Sequence, residues 1–149
     1  MNDMRMFSLF DDSNFDAYDK QRYPEVLTAG LSRNGLDLED VLAVTQDIQG
    51  LWAICKQGIF RSDLVGWVRK RIETYDLIPY ADIAAARVEQ IFRPEGAKIV
   101  LYDNSEKKFA QIEFTPSGGR FSTTSEGELA QCQRILQIME GASRTAAAD

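Results

Sequence analysis

Residues 41–64 read VLAVTQDIQGLWAICKQGIFRSDL, and the way this stretch is parsed sets the fold. Three short runs, Val41–Gln46, Leu51–Lys56 and Ile59–Leu64, are separated by Asp47-Ile48-Gln49-Gly50 and Gln57-Gly58. Brief apolar runs punctuated by glycine-containing turns are the pattern of strands joined by consecutive hairpins.

The same punctuation continues toward the C-terminus. Arg69–Asp76 forms a fourth run, and Ile78-Pro79-Tyr80-Ala81-Asp82-Ile83 makes a corner at which the proline lacks the N–H a sheet ladder needs. Ala84–Gln90 is the fifth run. Arg93-Pro94-Glu95-Gly96 turns the chain into Lys98–Tyr102, and Asp103-Asn104-Ser105 turns it into Lys108–Phe114, the sixth and seventh.

Beyond them, Ser125-Glu126-Gly127-Glu128 has the spacing of a capping box, with serine and glutamate placed to satisfy each other's backbone N–H. Leu129, Cys132, Ile135, Leu136 and Met139 then recur at three and four, and Gly141 is placed as a C-terminal stop. The remaining SRTAAAD has little to bury and is expected to fray.

Upstream of Val41 the composition shifts. Residues 1–40 hold nine acids against four bases, so most of the chain's net charge of -6 lies there. Pro24 suits the first turn of a helix carrying Val26, Leu27 and Leu31 on one side, and Asn34-Gly35 supplies a left-handed stop. That helix either packs on the domain that follows or docks a partner.

A series of antiparallel strands followed by one amphipathic helix predicts an α+β, mainly β fold: a bent sheet or partial barrel with the helix plugging an open end. With 149 residues, 44% of them hydrophobic, the chain is long enough for one domain without metal or disulfide staples. Cys55 and Cys132 lie far apart within apolar patterns and read as small buried hydrophobes.

Three stretches, GIFRSDL (Gly58–Leu64), RIETYDLIPYADI (Arg71–Ile83) and AKIVLYD (Ala97–Asp103), resemble the bacterial pleckstrin-homology-like domains. The likeness runs from about Val41 to Gly141. It implies about seven strands capped by a C-terminal helix, and a non-catalytic interaction module. The expected organisation is an acidic, partly helical extension over 1–40, the pleckstrin-homology-like domain over 41–141 and a flexible tail over 142–149.

Pleckstrin-homology domains that bind phosphoinositides use basic residues around the first interstrand loop. Here that loop is Asp47-Ile48-Gln49-Gly50, with an acid and no base, which argues against specific inositol-phosphate recognition. The remaining anion candidate is VGWVRKRIETY, Val65–Tyr75. In a strand, Arg69 and Arg71 face one way and Lys70 the other, so Arg61 on the neighbouring strand would complete a patch with Trp67 at its edge. The alternative is a solvated hairpin whose arginines pair with Glu73 and Asp63. A helical parse also exists: Leu64, Val68 and Ile72 recur every four residues and Ser62 would cap them.

Other chemistry has less support. Asp12-Ser13-Asn14-Phe15-Asp16 opens like a calcium loop, then places Ala17 where glycine belongs and Tyr23 where a bidentate glutamate belongs. The chain has no histidine, which removes the usual base near neutral pH and the common nucleophile pairs. Ser117-Gly118-Gly119-Arg120 lacks a P-loop lysine. On the last strand, Phe109, Gln111 and Glu113 share one face and Ala110, Ile112 and Phe114 the other; an acid beside the aromatic, together with the net charge, argues against nucleic acid.

The expectation is therefore a cytoplasmic protein without signal peptide, spanning helix, cofactor or metal, working through protein contacts or self-association along exposed strand edges. Two alternatives stand beside it. One is peripheral binding to anionic lipid through Arg61, Trp67, Arg69, Lys70 and Arg71; the other is small-molecule binding in the cleft of the bent sheet.

Overall fold

A computed structural model describes residues 3–11, 13, 15, 17–47, 50–66, 68–90, 97–114 and 125–148. Two helices, α1 (Asp3–Asp11) and α2 (Ala17–Asn34), precede the strands β1 (Val41–Gln46), β2 (Leu51–Cys55), β3 (Gly58–Val65), β4 (Arg71–Thr74) and β5 (Ile78–Pro79). A second group follows, β6 (Ala85–Gln90), β7 (Ala97–Tyr102) and β8 (Lys108–Phe114), and then α3 (Ser125–Ala148). The first five strands form sheet A, in the order β1-β2-β3-β4 with β5 paired to the start of β3; the last three form sheet B in the order β6-β7-β8. All pairings are antiparallel, and among the described residues none joins the two sheets, so they face each other without closing a barrel.

The strand beyond the seven expected is β5, Ile78–Pro79, which the sequence places in a corner. Ile78 lies opposite Ile59 and Pro79 opposite Gly58, and the 3-10 turn Tyr80–Asp82 follows at once. Tyr80 pins the corner down by donating its buried hydroxyl to the Cys55 carbonyl at 2.6 Å.

Strand alternation divides the side chains between two cores. Between the sheets, Ala43, Trp52, Ile54 and Ile59 meet Ile99, Leu101, Ile112 and Phe114, and Cys132, Ile135, Met139 and Ala142 of α3 close this core. On the other side of sheet A, Leu51, Ala53, Cys55 and Phe60 meet Leu9, Phe10, Phe15, Tyr23, Val26, Leu27 and Leu31. In β1 the pairing skips between Val41 and Ala43, an irregularity that turns Val41 and Val44 alike toward the helices.

The helix nearest this second core is longer than its sequence suggests. Pro24 lies inside α2 rather than in its first turn, because Asp19, Tyr23, Val26, Leu27, Gly30 and Leu31 form one continuous buried stripe. Burying that stripe offsets the cost of a missing N–H in mid-helix. The stop at Asn34-Gly35 matches the expectation: Gly35 has φ 64, and Leu36 donates to the Leu31 carbonyl at 2.9 Å. Asn34 then fastens the helix end to sheet A, donating to Tyr75 O at 3.2 Å and accepting from Leu77 N at 2.8 Å. Arg5 of α1 donates to the Val41 carbonyl.

At the other terminus the stop at Gly141 does not occur. α3 continues to Ala148, and the segment 142–148 is helical. Ala142 is buried in the inter-sheet core, and Thr145 donates its hydroxyl back to Gly141 O at 3.0 Å, so one more turn has apolar area to gain. Among the described residues, no helix is long and apolar enough to cross a membrane.

Candidate interaction surface

The β3–β4 hairpin carries the cations singled out in the sequence, and its register decides how they meet. Val65 lies opposite Arg71, Leu64 opposite Ile72, Asp63 opposite Glu73 and Ser62 opposite Thr74. The helical parse is therefore wrong: Leu64 and Ile72 are cross-strand partners, and Ser62 is a buried strand residue donating to the Val26 carbonyl at 3.0 Å. The strand expected from Arg69 begins at Arg71, since Val68, Arg69 and Lys70 are taken up by the bend at the hairpin tip.

Residues opposite each other share a face, so Arg61, Asp63, Glu73 and Arg71 lie on one side of the hairpin. Signs alternate along it: Arg61 pairs with Asp63 at 3.2 Å and Arg71 with Glu73 at 3.0 Å. The Arg61 guanidinium also lies over the Tyr75 ring, 4.4 Å from its centroid. The structure thus separates Arg61, half-buried and paired below, from Arg69 and Lys70, exposed at the tip beside Val68, which is 88% exposed. Trp67 lies outside the described residues, as do Asp12, Asn14 and Asp16 of the calcium-like stretch. Among the described residues no group of His, Cys, Asp and Glu is placed to hold a metal ion.

The first interstrand turn holds a feature that sequence reading missed. Asp47 is buried, accepting from Gly50 N at 3.0 Å and from the Trp52 indole at 2.8 Å. Asp63 packs directly against Gly50, where any Cβ would collide with its carboxylate. Burial pushes the Asp63 carboxyl up to about 6, with Asp47 and Glu73 adding to the rise and Arg61 opposing it. A cavity of about 260 Å³ opens beside this corner, lined by Asp47, Trp52 and Arg61 of sheet A and Phe109, Gln111 and Glu113 of β8. The inward position of Asp63 was legible from alternation along Gly58–Val65; its meeting with Asp47 needed the register.

Sheet B presents a different surface. Its outer face carries Arg87, Glu89, Lys98, Tyr102, Gln111 and Glu113, with Tyr102 donating to Glu89 at 2.8 Å and Arg87 lying over the Tyr102 ring at 5.2 Å. Its β6 edge pairs only with β7. Beside the first half of β6, a groove of about 390 Å³ runs between Ile83–Arg87 and the Met139, Glu140, Ser143 and Arg144 side of α3.

Both thiols are buried, and desolvation pushes Cys55 and Cys132 up to about 12, out of the range of a reactive thiolate.

No family model and no curated protein matches the chain. Among solved structures, the chain is similar to a pleckstrin homology domain from Shewanella amazonensis SB2B, with 18% identity, a TM-score of 0.46, and coverage of 74% of this chain and 96% of that one.

Proposed function

We propose that this chain is a non-catalytic interaction module that presents sheet B to other proteins, including further copies of itself. One observation carries the reading. Strands β1 and β2 of sheet A are covered on both faces, whereas sheet B keeps a polar outer face and an unpaired β6 edge beside a groove. An unpaired row of backbone N–H and C=O groups is a template for another chain. Light scattering across concentration, run beside an Ala85→Lys variant that places a charge on the outer face of β6, tests the self-association part. A mass that rises with concentration and falls back in the variant is expected; a strict monomer throughout counts against it.

A second reading has its own observation. Val68 stands exposed at a hairpin tip and is followed by the exposed Arg69, Lys70 and Arg71, the last paired with Glu73, with Arg61 further down the hairpin. Such a tip would touch an anionic bilayer, at about 1 kcal/mol per cation near the surface. Flotation with anionic and neutral liposomes decides it: binding that needs anionic lipid and is lost when Arg69, Lys70 and Arg71 become Glu supports the reading, and equal behaviour on both lipids removes it.

A further inference from the structure

We infer that a small dianionic oxyanion, of the size and shape of inorganic phosphate or sulfate, binds between α1 and α3 at the free edge of β1 and ties the two helices together. The site shares no lining residue with the outer face of sheet B, the groove beside β6 or the hairpin tip. It stands whether or not any of those is an interaction surface.

Topology brings the parts together. α1 rests on the core outside sheet A through Leu9 and Phe10, and α3 rests on the inter-sheet core through Cys132, Ile135 and Met139. The two helices thus cover opposite faces of sheet A, and both pack against β1, the end strand, which pairs only with β2. Where they meet, a cavity of about 50 Å³ is lined by Leu42 and Ala43 of β1, by Arg5, Ser8 and Leu9 of α1, and by Arg134 of α3. It has room for about three or four water-sized spheres, enough for the oxygens of a tetrahedral oxyanion and too little to enclose a nucleotide.

Chemistry gives the sign of the ligand. Among the described residues, the polar side chains of the lining are two guanidiniums and a hydroxyl, with no carboxylate between them. A guanidinium offers only donors, in a planar fork that matches paired oxygens, and a serine hydroxyl can donate beside it. Both arginine heads are steadied in place: Arg5 donates to the Val41 carbonyl, and Arg134 Nε donates to the Gln131 side-chain oxygen at 3.4 Å. Donors held in advance cost less to order when an anion arrives. The two arginines are half-buried, so water screens their mutual repulsion less than it would in the open, and a dianion between them turns repulsion into attraction. In a chain of net charge -6, Arg22, Arg33, Arg61 and Arg71 are each matched to an acid, whereas Arg5 has no ion-pair partner among the described residues. The other concavities mix signs: the cavity beside Asp47 sets Asp47 and Glu113 against Arg61, and the groove beside β6 sets Glu140 between Arg87 and Arg144.

The test titrates the full chain at neutral pH with sodium phosphate and with sodium sulfate, each against sodium chloride at matched ionic strength. A saturable rise in melting temperature with phosphate and sulfate that chloride does not reproduce is expected. Amide shifts on the isotope-labelled protein should concentrate at residues 5–9, 42–43 and 131–134, and phosphate should slow hydrogen exchange in α1. Arg134→Gln and Arg5→Gln should each weaken phosphate binding about tenfold or more, while Arg134→Lys, which keeps the charge and loses the fork, recovers only part of it. Reading each variant's phosphate response against its own chloride baseline separates lost binding from lost stability. Equal responses to phosphate and chloride overturn the inference, as do shifts that map to residues 68–71 or variants that bind phosphate as tightly as the wild type. A rise in melting temperature with unchanged exchange in α1 overturns the tying of the helices. Phenyl phosphate, bulkier at one oxygen, should bind more weakly than inorganic phosphate; tighter binding overturns the free ion in favour of a phosphate ester.

Discussion

Sheets A and B are both antiparallel, yet they differ in what covers them. β2 of sheet A is buried at every position, because alternate residues enter two different cores. β8 of sheet B runs from exposed Lys108 and Phe109 to buried Ile112 and Phe114, with only its inner face packed. A sheet covered on both sides shows a near-continuous apolar run, and one covered on a single side shows alternation. LWAIC and KFAQIEF differ in this way. The lesson is a division of labour: stability concentrates in sheet A and its helices, and recognisable surface remains on sheet B.

The largest contrast between the two sheets is expected from a pair of phenylalanine deletions. Phe60→Ala empties the second core and should cost about 3–5 kcal/mol, whereas Phe109→Ala, at a position 40% exposed on sheet B, should cost about 1 kcal/mol or less. Urea unfolding of both variants reads the difference directly; equal losses would mean that the helices contribute little to holding sheet A.

Next in size is the fastening of α2. Asn34→Ala removes two hydrogen bonds to the Tyr75–Leu77 segment and leaves the Leu77 N–H without its acceptor. A loss of about 1–3 kcal/mol is expected. Arg33→Ala, which breaks only an exposed ion pair to Asp76 at 3.0 Å, should cost less than about 1 kcal/mol. Comparable effects from the two would show that the helix end is held by charge rather than by Asn34.

Asp63 gives the comparison a pH dependence. Its carboxyl is raised in the folded protein to about 6 from an ordinary 3.8, so the folded state binds the proton more tightly than the unfolded one. The group's contribution is therefore fully present below the unfolded value and is lost as pH rises through about 6. Between pH 7.5 and pH 5 the wild type should gain on the order of 1–2 kcal/mol from this site relative to an Asp63→Asn variant. Identical pH slopes in thermal melts of the two proteins would place the proton elsewhere.

The smallest effect is chemical. Cys55 lies in sheet A and Cys132 in α3, each buried with its thiol held far above neutral. Neither should react with a thiol reagent at pH 8 until the protein unfolds, when both should react together. Early labelling of Cys132 alone would show α3 lifting from the inter-sheet core while sheet A stays closed.

Much of this architecture was legible from the chain. Val41–Gln46 and Lys108–Phe114 were bounded correctly because short apolar runs there end at turn residues, and the α+β class followed from their order. The misses share one physical origin, that local signals were overridden by packing between segments distant in sequence. Pro24 reads as a helix start, yet the buried stripe from Asp19 to Leu31 carries the helix through it. Gly141 reads as a stop, yet Ala142 finds the core. The hairpin reading of Arg61–Tyr75, with arginines paired to Asp63 and Glu73, matches the pairing of β3 with β4, whereas the alternative patch of Arg61 with Arg69 and Arg71 is divided between the body of the hairpin and its tip. Nothing local in Ala84–Arg87 marks a groove, since its other wall is Met139–Arg144.

The covering of sheet A by α1 and α2 also orders events at the ribosome. These helices are made first, but the bonds that secure them reach far ahead: Val26 to Ser62, and Asn34 to Leu77. Until residues up to about Leu77 have emerged, the stripe of α2 has no sheet to rest on, and a helix with proline in its interior is weak alone. α1 and α2 are thus translated before the sheet they cover and locked only after it, leaving Leu27 and its neighbours open to chaperones or to neighbouring chains during that interval.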